Sequence, residues 1–164
     1  MMKNVLFLSI FLFVGISFTQ AQNIRTVEKF ADLATEMQEN RDQLTVYNFW
    51  ATWCRPCVKE LPYFEQLSAE YADKNIKFIF ISLDFAAPAV ENFAKNRDFK
   101  GEVIHLTDPK QNDWIPQISE EWGGAIPATL VVMPEHDIHE FKAQSFTYDE
   151  LKVWIDTLLE KAQG

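Results

Sequence analysis

The sequence predicts an α/β fold in which helices flank a central mixed β-sheet. A buried strand over residues 44–50, an amphipathic helix that opens at Cys54 and an apolar strand over residues 76–83 form a βαβ unit. The two strands of such a unit are parallel, and the crossover between them is right-handed. Strands over residues 128–133 and 138–143 are joined by a short turn and are therefore antiparallel.

Composition and charge describe one globular domain. The chain has 164 residues, of which 48% are hydrophobic and 14% aromatic, enough apolar material for a single core. The net charge is −9 and there is no cluster of lysine and arginine, so nucleic acid is excluded as an expected partner. Two cysteines cannot form the dense disulfide framework of a small secreted scaffold. Their chemistry must therefore depend on their spacing.

The amino-terminal segment has the pattern of a signal peptide over residues 1–21. Lys3 precedes an apolar run over residues 5–18, which is shorter than the roughly 20 residues of a membrane-spanning helix. Thr19 and Ala21 place small residues at the −3 and −1 positions of a cleavage site before Gln22. An uncleaved anchor is the alternative. We expect residues 22–164 to form one domain that works in the periplasm or is secreted.

Two helices are predicted in the first half of the domain. Thr26 is an N-cap for a helix over residues 27–39, in which apolar residues recur at helical spacing. The helix that opens at Cys54 extends to about residue 73, and Pro62 is placed to kink it rather than to end it.

In the second half, a helix is predicted over residues 88–97 and a short strand over residues 102–106. The polar stretch that contains Trp114 and Trp122 shows no assignable period. Thr147 and Glu150 form a capping box for the last helix. The apolar stripe of that helix consists of Leu151, Trp154, Ile155, Leu158 and Leu159.

Cys54-Arg55-Pro56-Cys57 is a C-x-x-C motif between a buried strand and the start of a helix. Unpaired N–H groups and the helix dipole at this position stabilise a thiolate, and Arg55 adds a positive charge. Such surroundings lower a cysteine pKa from about 8.5 into the range of roughly 3.5–7.5. Cys54 is therefore the predicted nucleophile. Cys57 lies one turn further into the domain, where desolvation favours the neutral thiol until the second step of the reaction. The pair itself carries two electrons, so no metal or organic cofactor is implied.

Two other interpretations of the cysteine pair remain open. An inert structural disulfide would close almost no loop and would stabilise the fold little. A zinc site completed by His136 and His139 would use an H-x-x-H spacing shorter than the usual H-x₃₋₅-H. These histidines, together with His105, are expected to be surface or strand-edge residues.

The segments NFWATWCRPCVKELP, residues 48–62, and GGAIPATLVV, residues 123–132, resemble the thioredoxin superfamily. They resemble in particular the envelope thiol-disulfide oxidoreductases of the TlpA and ResA type, and this resemblance implies a thioredoxin-like fold. It also implies that the Ile126-Pro127 peptide is cis and lies beside the cysteines, where it pairs with the substrate. Trp50 is expected to be a core residue. The substrate-binding residues implied are Trp53, Arg55, Pro56, Ile126 and Pro127.

The chain departs from ordinary thioredoxin at several positions. Asn48 and Phe80 stand where thioredoxin has a buried Asp and a Lys. Envelope members place a Glu three residues after the second cysteine, and Glu60 matches it, which implies that Glu60 manages the proton of Cys57. The alternative is a solvated helix glutamate. One amphipathic helix replaces the amino-terminal β-hairpin of many envelope members. The segment 84–117 matches an insertion before the cis-proline strand, and we expect it to determine partner choice.

The function predicted is that of an extracytoplasmic oxidoreductase that reduces disulfides of client proteins. Arg55-Pro56 resembles the Gly-Pro of reducing thioredoxins more than the Pro-His of the oxidant DsbA. A reductant in this compartment needs a membrane-bound electron donor. The alternatives are an oxidant or isomerase that uses the same residues, and a thioredoxin-like adaptor that binds clients without turnover.

Overall fold

The computed structural model describes residues 24–39, 41–95, 97, 99 and 101–162. The predicted signal peptide, residues 1–21, lies outside them. The described strands are β1 (Ile24–Val27), β2 (Leu44–Trp50), β3 (Ile76–Ser82), β4 (Glu102–Leu106), β5 (Ala128–Met133) and β6 (Ile138–Lys142). The described helices are α1 (Phe30–Glu39), α2 (Arg55–Glu70), α3 (Ala87–Ala94), α4 (Gln111–Ile118) and α5 (Tyr148–Lys161). None of these helices combines the length and the apolar character that crossing a bilayer requires.

The strands form one mixed sheet in the order β1-β4-β3-β2-β5-β6, which confirms the predicted α/β class. β2 pairs in parallel with β3 and antiparallel with β5, and β6 is antiparallel to β5. Every residue of β2 is buried, because hydrophobic clusters cover both faces of the sheet. Helices α2, α3 and α5 contribute to one cluster, and α1 and α4 to the other. The strand that leads to Cys54 is therefore buried near the centre of the sheet.

The predicted start of the first helix is wrong. Residues 24–27 form the edge strand β1, which pairs in parallel with β4, so Thr26 lies in a strand and is not an N-cap. The helix begins at Phe30, whose backbone N–H donates to the Asp108 carboxylate across 2.9 Å. A carboxylate 78 positions away along the chain thus satisfies the free N–H of the first turn. The described part of the chain therefore begins with a strand and a helix rather than with a helix alone.

The segment 84–117 contains elements that the sequence pattern placed incompletely. Helix α3 ends at Ala94 rather than at residue 97, and α4 begins at Gln111 within the stretch that had no assignment. Trp114 of α4 is buried and stacks on Phe30, with 5.2 Å between the ring centroids. The tryptophans of this polar stretch are thus core residues of the face that α1 covers.

Other predicted features are confirmed. The capping box at the start of α5 is present, since the Thr147 hydroxyl accepts from the Glu150 N–H and the Glu150 carboxylate accepts from Thr147. Pro62 lies inside α2 and does not end it, as predicted, although the helix ends at Glu70 rather than at about residue 73. Trp50 is completely buried, as expected for a core residue.

Candidate active site

Cys54 and Cys57 lie where β2 gives way to α2, and their sulfurs form a disulfide with a Cα–Cα distance of 5.3 Å. Cys54 is the N-cap of α2, and its sulfur accepts a hydrogen bond from the Cys57 backbone N–H across 3.3 Å. This N–H is one of the helix groups that have no partner within the helix. Cys57 is fully buried, whereas Cys54 retains 6% of its surface. An approaching group therefore reaches the Cys54 sulfur first.

The Ile126-Pro127 peptide bond is cis, which confirms the prediction. It precedes β5, the antiparallel neighbour of β2, and this pairing brings it to the disulfide. The Cys54 sulfur lies 3.7 Å from the Ile126 carbonyl oxygen. Ile126 is half-buried and Pro127 is buried.

The other predicted substrate-binding residues surround Cys54 at the surface. Trp53 is 58% exposed, although it is a large aromatic residue. Arg55 and Pro56 occupy the first positions of α2 and are also exposed. The structure thus gathers around one disulfide all the residues to which the sequence assigned a binding role.

Glu60 lies one turn beyond Cys57 in α2 and is only 1% exposed, which contradicts the alternative of a solvated helix glutamate. Its carboxylate accepts from the Asn48 amide across 3.2 Å and from the Phe146 backbone N–H across 2.8 Å. Burial raises the pKa of Glu60 to about 7, although these hydrogen bonds oppose the shift. The carboxyl group therefore changes its charge near neutral pH.

Asn48 and Phe80 are both buried in the central strands. Neither side chain ionises, so the acid–base pair that ordinary thioredoxin has at these two positions is missing here. Glu60 instead brings a carboxylate into the core from α2, and Asn48 serves as its hydrogen-bond donor. Asn48 also lies within 3.4 Å of the Thr129 hydroxyl on β5. Elements on two sides of the cysteine pair are thus joined through this one amide.

Asp84 is a residue of the site that the sequence interpretation missed. Its buried carboxylate accepts from the Thr52 N–H at 3.0 Å, from the Thr52 hydroxyl at 2.6 Å and from the Ser82 hydroxyl at 2.8 Å. Thr52 belongs to the loop that carries Trp53 and Cys54. The sequence did contain a signal for this role. Asp84 is a polar residue directly after the apolar strand that was predicted to pair with the cysteine-bearing strand.

The histidines divide into two groups. His136 and His139 are exposed, as expected, but His105 is 2% exposed on β4, an inner strand, so its assignment to the surface or a strand edge is wrong. A ring nitrogen of His105, Nε2, lies 2.8 Å from the Asp84 backbone oxygen. Within the described part of the chain, no group of three or more His, Cys, Asp or Glu side chains is placed to hold a metal ion.

Comparisons with known proteins agree with this geometry. The Redoxin family profile matches residues 20–147. The thiol-disulfide oxidoreductase ResA of Oceanobacillus iheyensis is 28% identical over 82% of this chain and 68% of its own length. ResA of Bacillus cereus is 38% identical over 42% of this chain, a match that spans 39% of that relative.

A solved structure extends the likeness to three dimensions. The crystal structure of StoA from Bacillus subtilis superposes on this chain with a TM-score of 0.56, at 27% sequence identity. The match covers 71% of this chain and 84% of StoA, and its fold is thioredoxin-like. The chain belongs to the Redoxin family, and it is a thiol-disulfide oxidoreductase with a thioredoxin-like fold, similar to ResA and StoA.

Proposed function

We propose that this protein reduces disulfides of client proteins outside the cytoplasm, with Cys54 as nucleophile and Cys57 as resolving thiol. The observation that carries the assignment is the difference between the two sulfurs. The Cys54 sulfur accepts a helix N–H and Cys54 keeps some exposed surface, whereas Cys57 is fully buried. A thiolate is stabilised at the first position, and burial favours the neutral thiol at the second.

The reaction has two exchange steps. The Cys54 thiolate attacks one sulfur of the client disulfide, which forms a mixed disulfide and releases the other client sulfur as a thiolate. Cys57, once deprotonated, attacks the Cys54 sulfur, which forms the Cys54–Cys57 disulfide and releases the second client thiolate. The client is reduced by two electrons, and the cysteine pair is oxidised by two. The reaction requires no metal and no organic cofactor.

The client chain has a defined place to bind in this proposal. Its backbone lies against Ile126 and Pro127, and its side chains meet Trp53, Arg55 and Pro56. The 3.7 Å approach of the Ile126 carbonyl to the Cys54 sulfur supports this placement. The exposure of Trp53, Arg55 and Pro56 leaves them available to a partner.

Glu60 is proposed to accept the proton of Cys57 before the second step. It lies one turn along the helix from Cys57, on the same face. A general base is most effective when its pKa is near the working pH, and that of Glu60 is raised to about 7. The carboxylate takes the proton from the Cys57 thiol, and the thiolate then attacks Cys54.

The direction of electron flow follows from the Arg55-Pro56 dipeptide, which resembles that of reducing thioredoxins. The Arg55 charge opposes this direction slightly, because it stabilises the reduced form. An exposed charge moves the potential by only about 20 mV. That shift is small against the roughly 150 mV between thioredoxin and DsbA. A reductant in an oxidising compartment is consumed unless it is recharged, so the proposal includes a membrane-bound electron donor.

Equilibration of the cysteine pair against glutathione and dithiothreitol buffers tests the direction. We expect a reduction potential below about −180 mV, since isomerases and oxidants have potentials at or above this value. A higher value would reverse the proposed direction and favour an oxidant or isomerase. Thiol titration with and without dithiothreitol separates either enzyme from an adaptor, whose cysteine pair need not cycle.

The location outside the cytoplasm is supported by the sequence of residues 1–21, which we propose is a cleaved signal peptide. The apolar run over residues 5–18 and the small residues Thr19 and Ala21 fit export and cleavage. The intact mass of protein purified from the cell envelope is expected to correspond to a chain that starts at Gln22. A mass that includes residues 1–21 would show a retained anchor instead.

A further inference from the structure

Two large aromatic side chains stand exposed beside the disulfide. Among the described residues, the large hydrophobic side chains with high exposure are Trp53 at 58%, Phe85 at 90% and Val153 at 65%. Trp53 and Phe85 stack on each other, with 6.0 Å between ring centroids and 15° between ring planes. Val153 lies apart from them on α5. The two rings form one apolar surface next to Cys54, which we call the aromatic shelf.

The loops that carry the shelf are fixed to each other. Asp84 precedes Phe85, and its carboxylate accepts both the N–H and the hydroxyl of Thr52, the residue before Trp53. The Ser82 hydroxyl donates to the same carboxylate, and its oxygen accepts from the Asp84 N–H. Because the backbones on both sides are held in this way, little backbone conformational entropy remains to be lost when a ligand binds the shelf.

The position of the shelf determines what it meets. Trp53 is adjacent in sequence to Cys54, so a polypeptide whose sulfur reaches Cys54 brings its neighbouring side chains to the shelf. Flat aromatic surface binds aromatic and large aliphatic side chains by stacking and by burial of apolar area. A small polar side chain gains neither the stacking interaction nor the free energy of burying apolar area.

We propose that Phe85, together with Trp53, forms a subsite for an aromatic or large aliphatic side chain that flanks the client cysteine. This inference rests on the proposed exchange with client proteins and adds a sequence preference to it. Phe85 is the specificity-determining member, since its ring extends the shelf beyond the active-site tryptophan that the resemblance already implies.

The test uses two disulfide-linked peptide dimers that differ only in the residue after cysteine, Phe in one and Ser in the other. We expect the reduced protein to exchange with the Phe peptide roughly three- to tenfold faster than with the Ser peptide, the range that an aromatic contact contributes. Phe85→Ser should bring this rate ratio close to one, and Phe85→Trp should retain it. The reduction potential and the rate with a small disulfide such as cystine should not change in either variant.

Val153→Ser is the matched control, because it also removes an exposed apolar side chain but lies on α5, away from the shelf. An unchanged rate ratio in Phe85→Ser, or an equal loss in Val153→Ser, would refute the subsite. If the wild type reduced neither peptide, the proposed direction would be wrong. The ratio would then be measured with the oxidised protein and the peptide thiols, which react through the same mixed disulfide and test the subsite independently.

Discussion

The Asn48 side chain on β2 donates a hydrogen bond to the Glu60 carboxylate on α2 across 3.2 Å in the buried core. The strand that leads to the redox pair and the helix that contains it are therefore joined by a group that titrates. Since the pKa of Glu60 is raised to about 7, both the strength of this link and the local charge change with pH near neutrality.

The first prediction concerns stability and pH. The unfolded chain releases the Glu60 proton near the ordinary pKa of 4.5, whereas the folded protein holds it to about 7. The stabilising contribution of the protonated group is therefore complete below pH 4.5, declines as the pH rises and is lost above about pH 7. The shift corresponds to roughly 3 kcal/mol. Relative to Glu60→Gln, the wild type should lose about this free energy of unfolding between pH 4.5 and 7.5.

Urea unfolding of both oxidised proteins across this pH range provides the measurement. Glu60→Gln is a suitable comparison because it retains an acceptor for the Phe146 N–H and cannot ionise. Parallel curves of unfolding free energy against pH would show that Glu60 keeps an ordinary pKa.

The second prediction concerns the rate of resolution. Glu60→Gln should slow release of the mixed disulfide more than its formation, because the proposed proton transfer involves Cys57 and not Cys54. Loss of a positioned general base costs typically 10²–10⁴-fold in the step it serves. Rapid-quench trapping of the mixed disulfide with a peptide substrate separates the two rates. Equal slowing of both steps, or no effect on either, would remove Glu60 from the mechanism.

The third prediction concerns the two cysteines. Cys54→Ser should abolish reduction of insulin, because the attacking thiolate is lost. Cys57→Ser should form a mixed disulfide that is not resolved and that mass spectrometry detects as an adduct. Faster alkylation of Cys57 than of Cys54 in the reduced protein at pH 6 to 7 would reverse the assigned roles.

The fourth prediction concerns the loop before the cysteines. Asp84→Ala removes the acceptor of the Thr52 N–H, of the Thr52 hydroxyl and of the Ser82 hydroxyl. We expect a loss of about 2–3 kcal/mol in unfolding free energy, because these hydrogen-bond donors are at least partly buried and would be left without an acceptor. Asp73→Ala, at an exposed position after α2, is the control and should change stability by less than about 0.5 kcal/mol. Similar losses in both variants would show that the Asp84 bonds add little.

The fifth prediction compares two glycines. A Cβ at Gly101 would clash with the Phe78 carbonyl oxygen and lie 2.8 Å from the Phe80 ring, whereas one at Gly123 would meet nothing within 4 Å. Gly101→Ala should therefore cost about 1–3 kcal/mol. Gly123→Ala should be nearly neutral. Thermal or urea unfolding measures both, and a neutral Gly101→Ala would contradict the close approach of backbone at the start of β4.

Residue patterns with strong local signals allowed much of the fold to be predicted. β2 and β5 consist mainly of apolar residues because both faces of the sheet are covered, and their bounds match the predicted ones. The capping box at Thr147 lies within one helical turn and needs no distant partner to be recognised. The cysteine motif is likewise local.

The features that were missed depend on distant partners. β1 has four residues, one of them Arg25, and becomes a strand only because β4 pairs with it. The start of α1 depends on Asp108, which no local pattern connects to Phe30. Helix α4 contains Pro116 and residues of low helix propensity, so packing of Trp114 and Ile118 decides its conformation.

The candidate site divides in the same way. Its reactive centre follows from the C-x-x-C spacing and from the resemblance, but its supporting contacts do not. Phe146 donates to Glu60 from the loop before α5, 86 positions away along the chain. Asp84 and Phe85 reach the cysteine-bearing loop only because β3 lies beside β2.

The order in which the ribosome makes these strands has a consequence for export. β1 is the first described strand to be synthesised, yet its only sheet neighbour among the described strands is β4, where Ile24 pairs with Val103. β2 similarly receives its antiparallel neighbour only with β5. A growing chain therefore cannot complete the sheet until most of it has left the ribosome. If the proposed signal peptide directs translocation early, the polypeptide passes through the membrane before it folds, and the cysteines meet their redox environment on the far side.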